Sequence, residues 1–206
     1  MVMWKIWELR NKKLHGEKDI LLGDLVNWCR SYLSTFQRTC TKALHGTVPF
    51  HSASWNPPEF GCVKVNFDVA FPRGGNYYVM ANIARDYNGK CLWWSTKKIL
   101  GRPLPIEGEA HAALFALVKA KNMSVVTVVI EGDNLQVINT LQDISQSHTS
   151  YGAFVEEGHR IARYFNSCSF SFVKRSGNML AHALATNYDS SCNEGLVLPS
   201  DLASIA

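Results

Sequence analysis

Several things are missing from this 206-residue chain. No apolar run approaches the roughly 20 residues that a bilayer-spanning helix takes, so nothing reads as a membrane segment. The opening stretch MVMWKIWELRNKK puts Trp, Glu and Arg where a secretory leader needs an unbroken apolar core. The expectation is therefore an intracellular protein, nuclear or cytoplasmic, and not a secreted one. The six cysteines (Cys29, Cys40, Cys62, Cys91, Cys168 and Cys192) lie at least 11 positions apart. That spacing excludes CxxC zinc or redox pairs and points to free thiols. Internal repeats and low-complexity tracts are absent as well. The doublets Lys12-Lys13 and Lys97-Lys98 are too short to read as nuclear import signals.

What is present describes a folded protein. Apolar residues make up 47% and charged residues 18%, which excludes wholesale disorder. The length accommodates one large domain, or one domain of about 150 residues with an ordered extension. A net charge of +4, from 21 basic and 17 acidic residues, tolerates a nucleic-acid partner without requiring one.

The composition changes across HGTVPFHSASWNPPEFG, where Pro57 and Pro58 forbid regular helix or central strand. Residues 1–50 on its N-terminal side read as a helical arm and linker. Leu22, Leu25, Val26, Cys29, Leu33 and Phe36 form a stripe at helical spacing, and Trp4, Trp7 and Leu14 suggest a shorter helix before it. Such a stripe needs a partner surface, either the neighbouring domain or another protein.

From Val63 the periodicity switches. VKVNFDVA, YYVMANIARD and CLWWSTKKI read as strands, the last two joined by a hairpin turn at Asn88-Gly89. PIEGEAHAALFALVKAK follows as a helix, and VVTVVIEGD as a strand buried on both faces. Helices NLQVINTLQDI and YGAFVEEGHRIARYF, strand SFSFVKR and helix NMLAHALATNY complete the order. Three strands in tight succession, then strands joined through helices, predict an α/β fold. Its five-stranded mixed sheet would have its last two strands parallel to the first. Residues 191–206 read as a C-terminal tail.

Three carboxylates fall at element ends that such a sheet brings together: Asp68 near the end of the first strand, Asp133 at the end of the fourth, and Glu109 in the first turn of the first helix. Glu109 shares a helical face with Ala113 and Leu117 and so points toward the sheet. Crowded carboxylates repel and need a cation, and oxygen ligands of this kind suit a hard divalent ion such as Mg²⁺. Each also has a plainer role available. Asp133 with Gln136 fits a capping box, and Glu109 can complement the helix dipole. Asp68 is the hardest to explain away, because it interrupts a strand that is otherwise buried.

WNPPEFGCVKVNFDVAF, ARDYNGK, EGEAHAALFALVKA, VVIEGDNLQVI and FVKRSGNMLAHALA, in that order over residues 55–190, resemble the plant ribonuclease H-like domains. That family is reverse-transcriptase-associated and related to non-LTR retrotransposons. WKIWELRNKKLHG is similar to the segment preceding the domain in the same family. The resemblance implies a ribonuclease H-like fold and two-metal cleavage of the RNA strand of an RNA–DNA hybrid, with ions about 4 Å apart. By position, Asp68 would bridge both ions and Glu109 and Asp133 would complete the shell of the first, with Mg²⁺ as the metal. Asn178, at the head of the last helix, would contact substrate, or else cap that helix.

Two departures stand out. The family's fourth catalytic carboxylate falls where this chain has His182, a neutral ligand that Mn²⁺ tolerates better than Mg²⁺ does. A packed or hydrogen-bonded structural histidine is the plainer reading there. Asp189 lies about 10 Å further along the helix, too far to substitute. The loop before the last helix is reduced to Lys174-Arg175-Ser176-Gly177 and lacks the histidine of bacterial relatives, and DISQSHTS carries no basic protrusion. Substrate affinity would then rest on Lys97, Lys98, Lys174 and Arg175, giving weak, salt-sensitive binding. The function expected is a metal-dependent hybrid ribonuclease weakened by His182. The alternative is a nucleic-acid-binding module that keeps the fold without turnover.

Overall fold

The computed structural model describes residues 55–143, 149–188 and 191–203, together with the single position Val26. The expected helical arm, apart from that position, and most of the DISQSHTS segment lie outside the described residues.

β1 (Val63–Ala70), β2 (Tyr77–Arg85) and β3 (Cys91–Leu100) form an antiparallel meander. Gly89 supplies the positive φ, +79°, that the β2–β3 turn demands. Asp86 Oδ1 closes that turn by accepting from the N–H groups of Asn88 and Lys90, each at 2.9 Å. α1 (Pro105–Asn122) follows, with Pro105 at its first position, where a missing N–H costs nothing. Glu107 accepts from the Leu104 N–H at 2.9 Å and so secures the helix start.

β4 (Thr127–Gly132), α2 (Leu135–Gln142), α3 (Gly152–Ala162), β5 (Ser167–Phe172) and α4 (Met179–Asn187) complete the expected order. β4 runs parallel to β1, and β5 parallel to β4. The sheet nevertheless has six strands rather than five. β6 (Cys192–Gly195) pairs antiparallel with the outer edge of β3, giving the order β5-β4-β1-β2-β3-β6. The indole N–H of Trp94 donates to the Val197 carbonyl at 2.8 Å, and Leu202 is buried in the same apolar layer. A four-residue strand reading CNEG has no apolar alternation, so only the pairing partner makes it a strand.

Apolar side chains occupy both faces of the sheet. On one face Val65, Phe67, Met80, Val128 and Ile130 meet Ala113, Ala116 and Leu117 of α1, Ile138 and Leu141 of α2, and Val155 and Ile161 of α3. The other holds a smaller layer in which Ala81, Ile83 and Trp94 meet Leu180 and Leu184 of α4. β1 lies at the centre with Val65, Phe67 and Val69 turned to the larger layer. Alternation therefore turns Asn66 and Asp68 the other way, toward α4, with neither exposed at all.

The tightest approach in this core is at Gly132, the last residue of β4. A Cβ built there would lie 2.3 Å from Cζ of Phe67, itself fully buried. Gly132→Ala is expected to cost about 1–3 kcal/mol through overpacking. In urea denaturation the midpoint should fall at unchanged m-value; an unmoved midpoint would show that Phe67 yields freely.

Candidate metal centre

The parallel pairing of β1 with β4 sets the site. Its register ends at Asn66 opposite Glu131, so two residues further on Asp68 and Asp133 come level with each other at the sheet's end. Asp133 is spared a capping role. The helix starts at Leu135, which makes Asn134 the N-cap, and the Asn134 side chain accepts from the Val137 N–H at 3.2 Å. The expected capping box with Asp133 at its head is thus corrected by one residue.

Glu109 arrives from α1. Because the helix begins at Pro105, Glu109 is its fifth residue, and the first-turn acid is Glu107. The expected placement of Glu109 in the first turn is corrected accordingly, and its position one turn in leaves it free to face the sheet. Gly108 allows the close approach, since a Cβ there would lie 2.6 Å from Phe71 Cζ. Ligand atoms of Asp68, Glu109 and Asp133 all lie within 4.8 Å of one another.

Two further groups enter from the segment around α4. Arg175 Nη1 donates to Asp68 Oδ2 at 3.0 Å and to Asp133 Oδ2 at 2.7 Å. His182 Nδ1 lies 2.8 Å from Asp68 Oδ2 and also within hydrogen-bond reach of Arg175 Nη2. A ring nitrogen carries either a hydrogen or a lone pair, so Nδ1 donates to Asp68 or accepts from Arg175, not both. Asp68 Oδ1 accepts from the Val69 N–H at 2.9 Å.

The electrostatics follow from this crowding. Burial, reinforced by the charges of Asp68 and Asp133, pushes Glu109 up to about 9, with Arg175 opposing. Asp68 is also raised, chiefly by burial, against the pull of Arg175. Burial works against the Arg175 charge, but its bonds with Asp133 and Asp68 outweigh that cost and hold it more firmly protonated. Among the described residues, Glu109 Oε2 is buried without a hydrogen-bond partner. Three convergent carboxylates, one with an orphaned buried oxygen, are a donor set that fits a hard divalent cation.

The structure places the remaining expected site residues unequally. Lys174 is exposed on the rim of a cleft of about 410 Å³ that Asn56, Lys64, Glu131 and Ser171 also line. Arg175, expected only to touch substrate, reaches into the carboxylate cluster itself. The capping role open to Asn178 is corrected. It heads α4 without a side-chain cap, and it is 1% exposed, its amide donating to the Phe67 carbonyl at 2.9 Å. Its Oδ1 takes a hydrogen bond from Asn66 at 3.3 Å. Lys97 and Lys98 lie on β3, and the Lys98 ammonium sits 3.7 Å over the Tyr77 ring.

Behind Asp68 lies a buried polar network with no counterpart among the expected site residues. Asn66 donates to Glu131 Oε2 at 2.9 Å and accepts from Arg85 Nη2 at 2.9 Å. Glu131 pairs with Lys64 at 3.1 Å, and the Arg85 guanidinium stacks 3.4 Å over Trp55. Burial lowers Arg85 to about 10. Asn66, two positions from Asp68 on the same strand face, was the available signal.

The family described as reverse transcriptase-like matches residues 66–188. RNase H1 from the halophilic archaeon Halobacterium salinarum superposes with a TM-score of 0.56 at 21% identity, over 62% of this chain and 96% of that one. The N-terminal RNase H domain of a Mycobacterium tuberculosis protein gives 0.56 at 15%, over 62% and 93%. The foamy viral protease–reverse transcriptase, solved with double-stranded DNA, gives 0.50 at 15%, over 64% and 96%. At these identities the likeness is one of fold. No curated protein matches the chain in sequence.

Glu109 also bears on stability. Its carboxyl holds a proton in the folded protein up to about pH 9, whereas the unfolded chain ionises near its ordinary value of 4.5. Folded-state stability without added metal should therefore fall as pH rises through that window and level off above it. Glu109→Gln is expected to flatten the slope and raise the melting temperature by several degrees at pH 8, with little change at pH 4. Parallel pH–melting curves for the two proteins would show no burial penalty at Glu109.

Proposed function

This chain belongs to the reverse transcriptase-like family of ribonuclease H-like domains, and from that premise we propose that it is a metal-dependent endonuclease. Its proposed substrate is the RNA strand of RNA–DNA hybrids. The observation that carries the reading is the convergence of Asp68, Glu109 and Asp133 on one point at the end of the sheet. Mg²⁺ is the natural occupant for three carboxylates, with Mn²⁺ favoured by the imidazole of His182. A divalent cation held there supplies Lewis acidity and offsets negative charge building on the scissile phosphate.

The chain's own groups account for the rest. Asp68 and Asp133 offer oxygens fixed by strand register, and Glu109 surrenders its proton as the site loads. Arg175 is 48% exposed at the mouth, anchored on two carboxylates, with a planar guanidinium suited to a phosphate. Lys174 beside it adds a phosphate contact of the kind that salt weakens. Buried Asn178 and Asn66 hold the start of α4 against β1, which keeps His182 and Arg175 beside Asp68. The N-terminal arm, residues 1–50, is proposed to dock a protein partner.

A second reading has its own observation. Arg175 already neutralises Asp68 and Asp133, and His182 brings no carboxylate, a combination that suits a module binding hybrid without cleaving it.

Cleavage of an end-labelled hybrid in Mg²⁺ or Mn²⁺, run beside single-stranded and duplex RNA, tests the first reading. Asp68→Asn should fall to background; persistent activity in that variant would remove Asp68 from the chemistry. His182→Asp separates the two readings. A rise of roughly tenfold or more, worth about 1.4 kcal/mol of barrier, marks a site intact but for its fourth group. Tight hybrid binding with no cleavage in either protein or either metal marks the binding module.

A further inference from the structure

Two-metal chemistry needs oxygens to share between ions and enough negative charge to hold both. This centre is short of each. Asp68 is the residue best placed to be shared, yet Oδ2 already has two partners, which leaves it a single open lone pair, on Oδ1. Oδ1 takes the Val69 N–H at 2.9 Å, and Oδ2 meets Arg175 at 3.0 Å and His182 at 2.8 Å. Asp133 Oδ2 is held by the same guanidinium at 2.7 Å. Arg175 thus lies across two of the three carboxylates, on the side from which His182 approaches.

The charge count agrees. Three ionised carboxylates against one guanidinium leave two negative charges, which a single divalent cation cancels. A second would give the pocket a surplus of two positive charges beside the fully buried Asp68. His182 cannot correct this, since imidazole carries no negative charge in either protonation state.

Arg175 is also held where it is. It begins a single 3₁₀ turn, Arg175–Gly177, whose carbonyl takes the Asn178 N–H at 3.0 Å. Asn178 is in turn fixed to the Phe67 carbonyl at 2.9 Å and to Asn66 at 3.3 Å. The backbone that carries the guanidinium is therefore tied to β1, the strand that carries Asp68. Among the described residues, the buried Glu109 Oε2 has no hydrogen-bond partner.

We propose that this centre binds one divalent cation per chain, not two, and that Arg175 is the resident second positive group, positioned to share the substrate phosphate with that cation. The inference rests on the metal-dependent reading above. It narrows that reading by assigning the second charge to protein.

Ion stoichiometry tests it without any substrate. The full chain is titrated with Mn²⁺, free ion is followed by electron paramagnetic resonance, and Mg²⁺ calorimetry is run beside it. Circular dichroism confirms that each variant is folded. The wild-type chain should bind one ion, and Arg175→Gln two. Two ions on the wild-type chain would overturn the inference and leave metal-dependent cleavage intact. One ion on both proteins would overturn the part given to Arg175. No ion on either would remove the metal-dependent reading itself, and this inference with it.

Discussion

Everything at the functional end of this molecule follows from negative charge being confined where water cannot screen it. The β1–β4 register sets Asp68 and Asp133 level, and α1 brings Glu109 in beside them. Three carboxylates so close repel one another, and only a proton, cation or guanidinium lets them stay together. The structure uses the first at Glu109 and the last at Arg175. A metal ion would replace the proton and join the guanidinium.

Such a site needs a rigid frame, because the repulsion it contains would otherwise be relieved by movement. The frame is polar and buried. Asn66 ties Glu131, Arg85 and Asn178 together, and Trp55 covers Arg85 from the segment that precedes β1. Each member is expensive to bury alone, and each is partnered by another. This cluster joins three strands to the head of α4, so it fixes the two elements whose separation decides whether Arg175 can reach Asp68.

The strands, the helices and their order were legible because their cues are local. VKVNFDVA alternates, Asn88-Gly89 makes a turn, and the apolar face of α1 repeats at helical spacing. The three carboxylates were legible too, since strand ends and helix faces follow from those same periods. What escaped depends on long-range pairing. β6 is strand only because β3 offers an edge, and nothing in CNEG announces it. Arg175 reads as a substrate contact alone until the fold brings it to residues 42 and 107 positions away. Asn178 looked like a cap or a substrate contact, and Asp133 like the start of a helix. The true N-cap of α2 lies one residue further on, and the Asn178 amide donates to the Phe67 carbonyl rather than capping α4; neither can be counted from the sequence.

The sixth strand has a practical corollary for anyone trimming the protein. A fragment ending at residue 188, where the family match stops, would lose β6 and Leu202 together. The amide row of β3 from Trp94 to Lys97 would be uncovered, and the indole of Trp94 left without its carbonyl acceptor. A bare, partly apolar sheet margin is a template for sticking to copies of itself. Such a shortened domain would carry an intact acidic pocket and still be prone to precipitate.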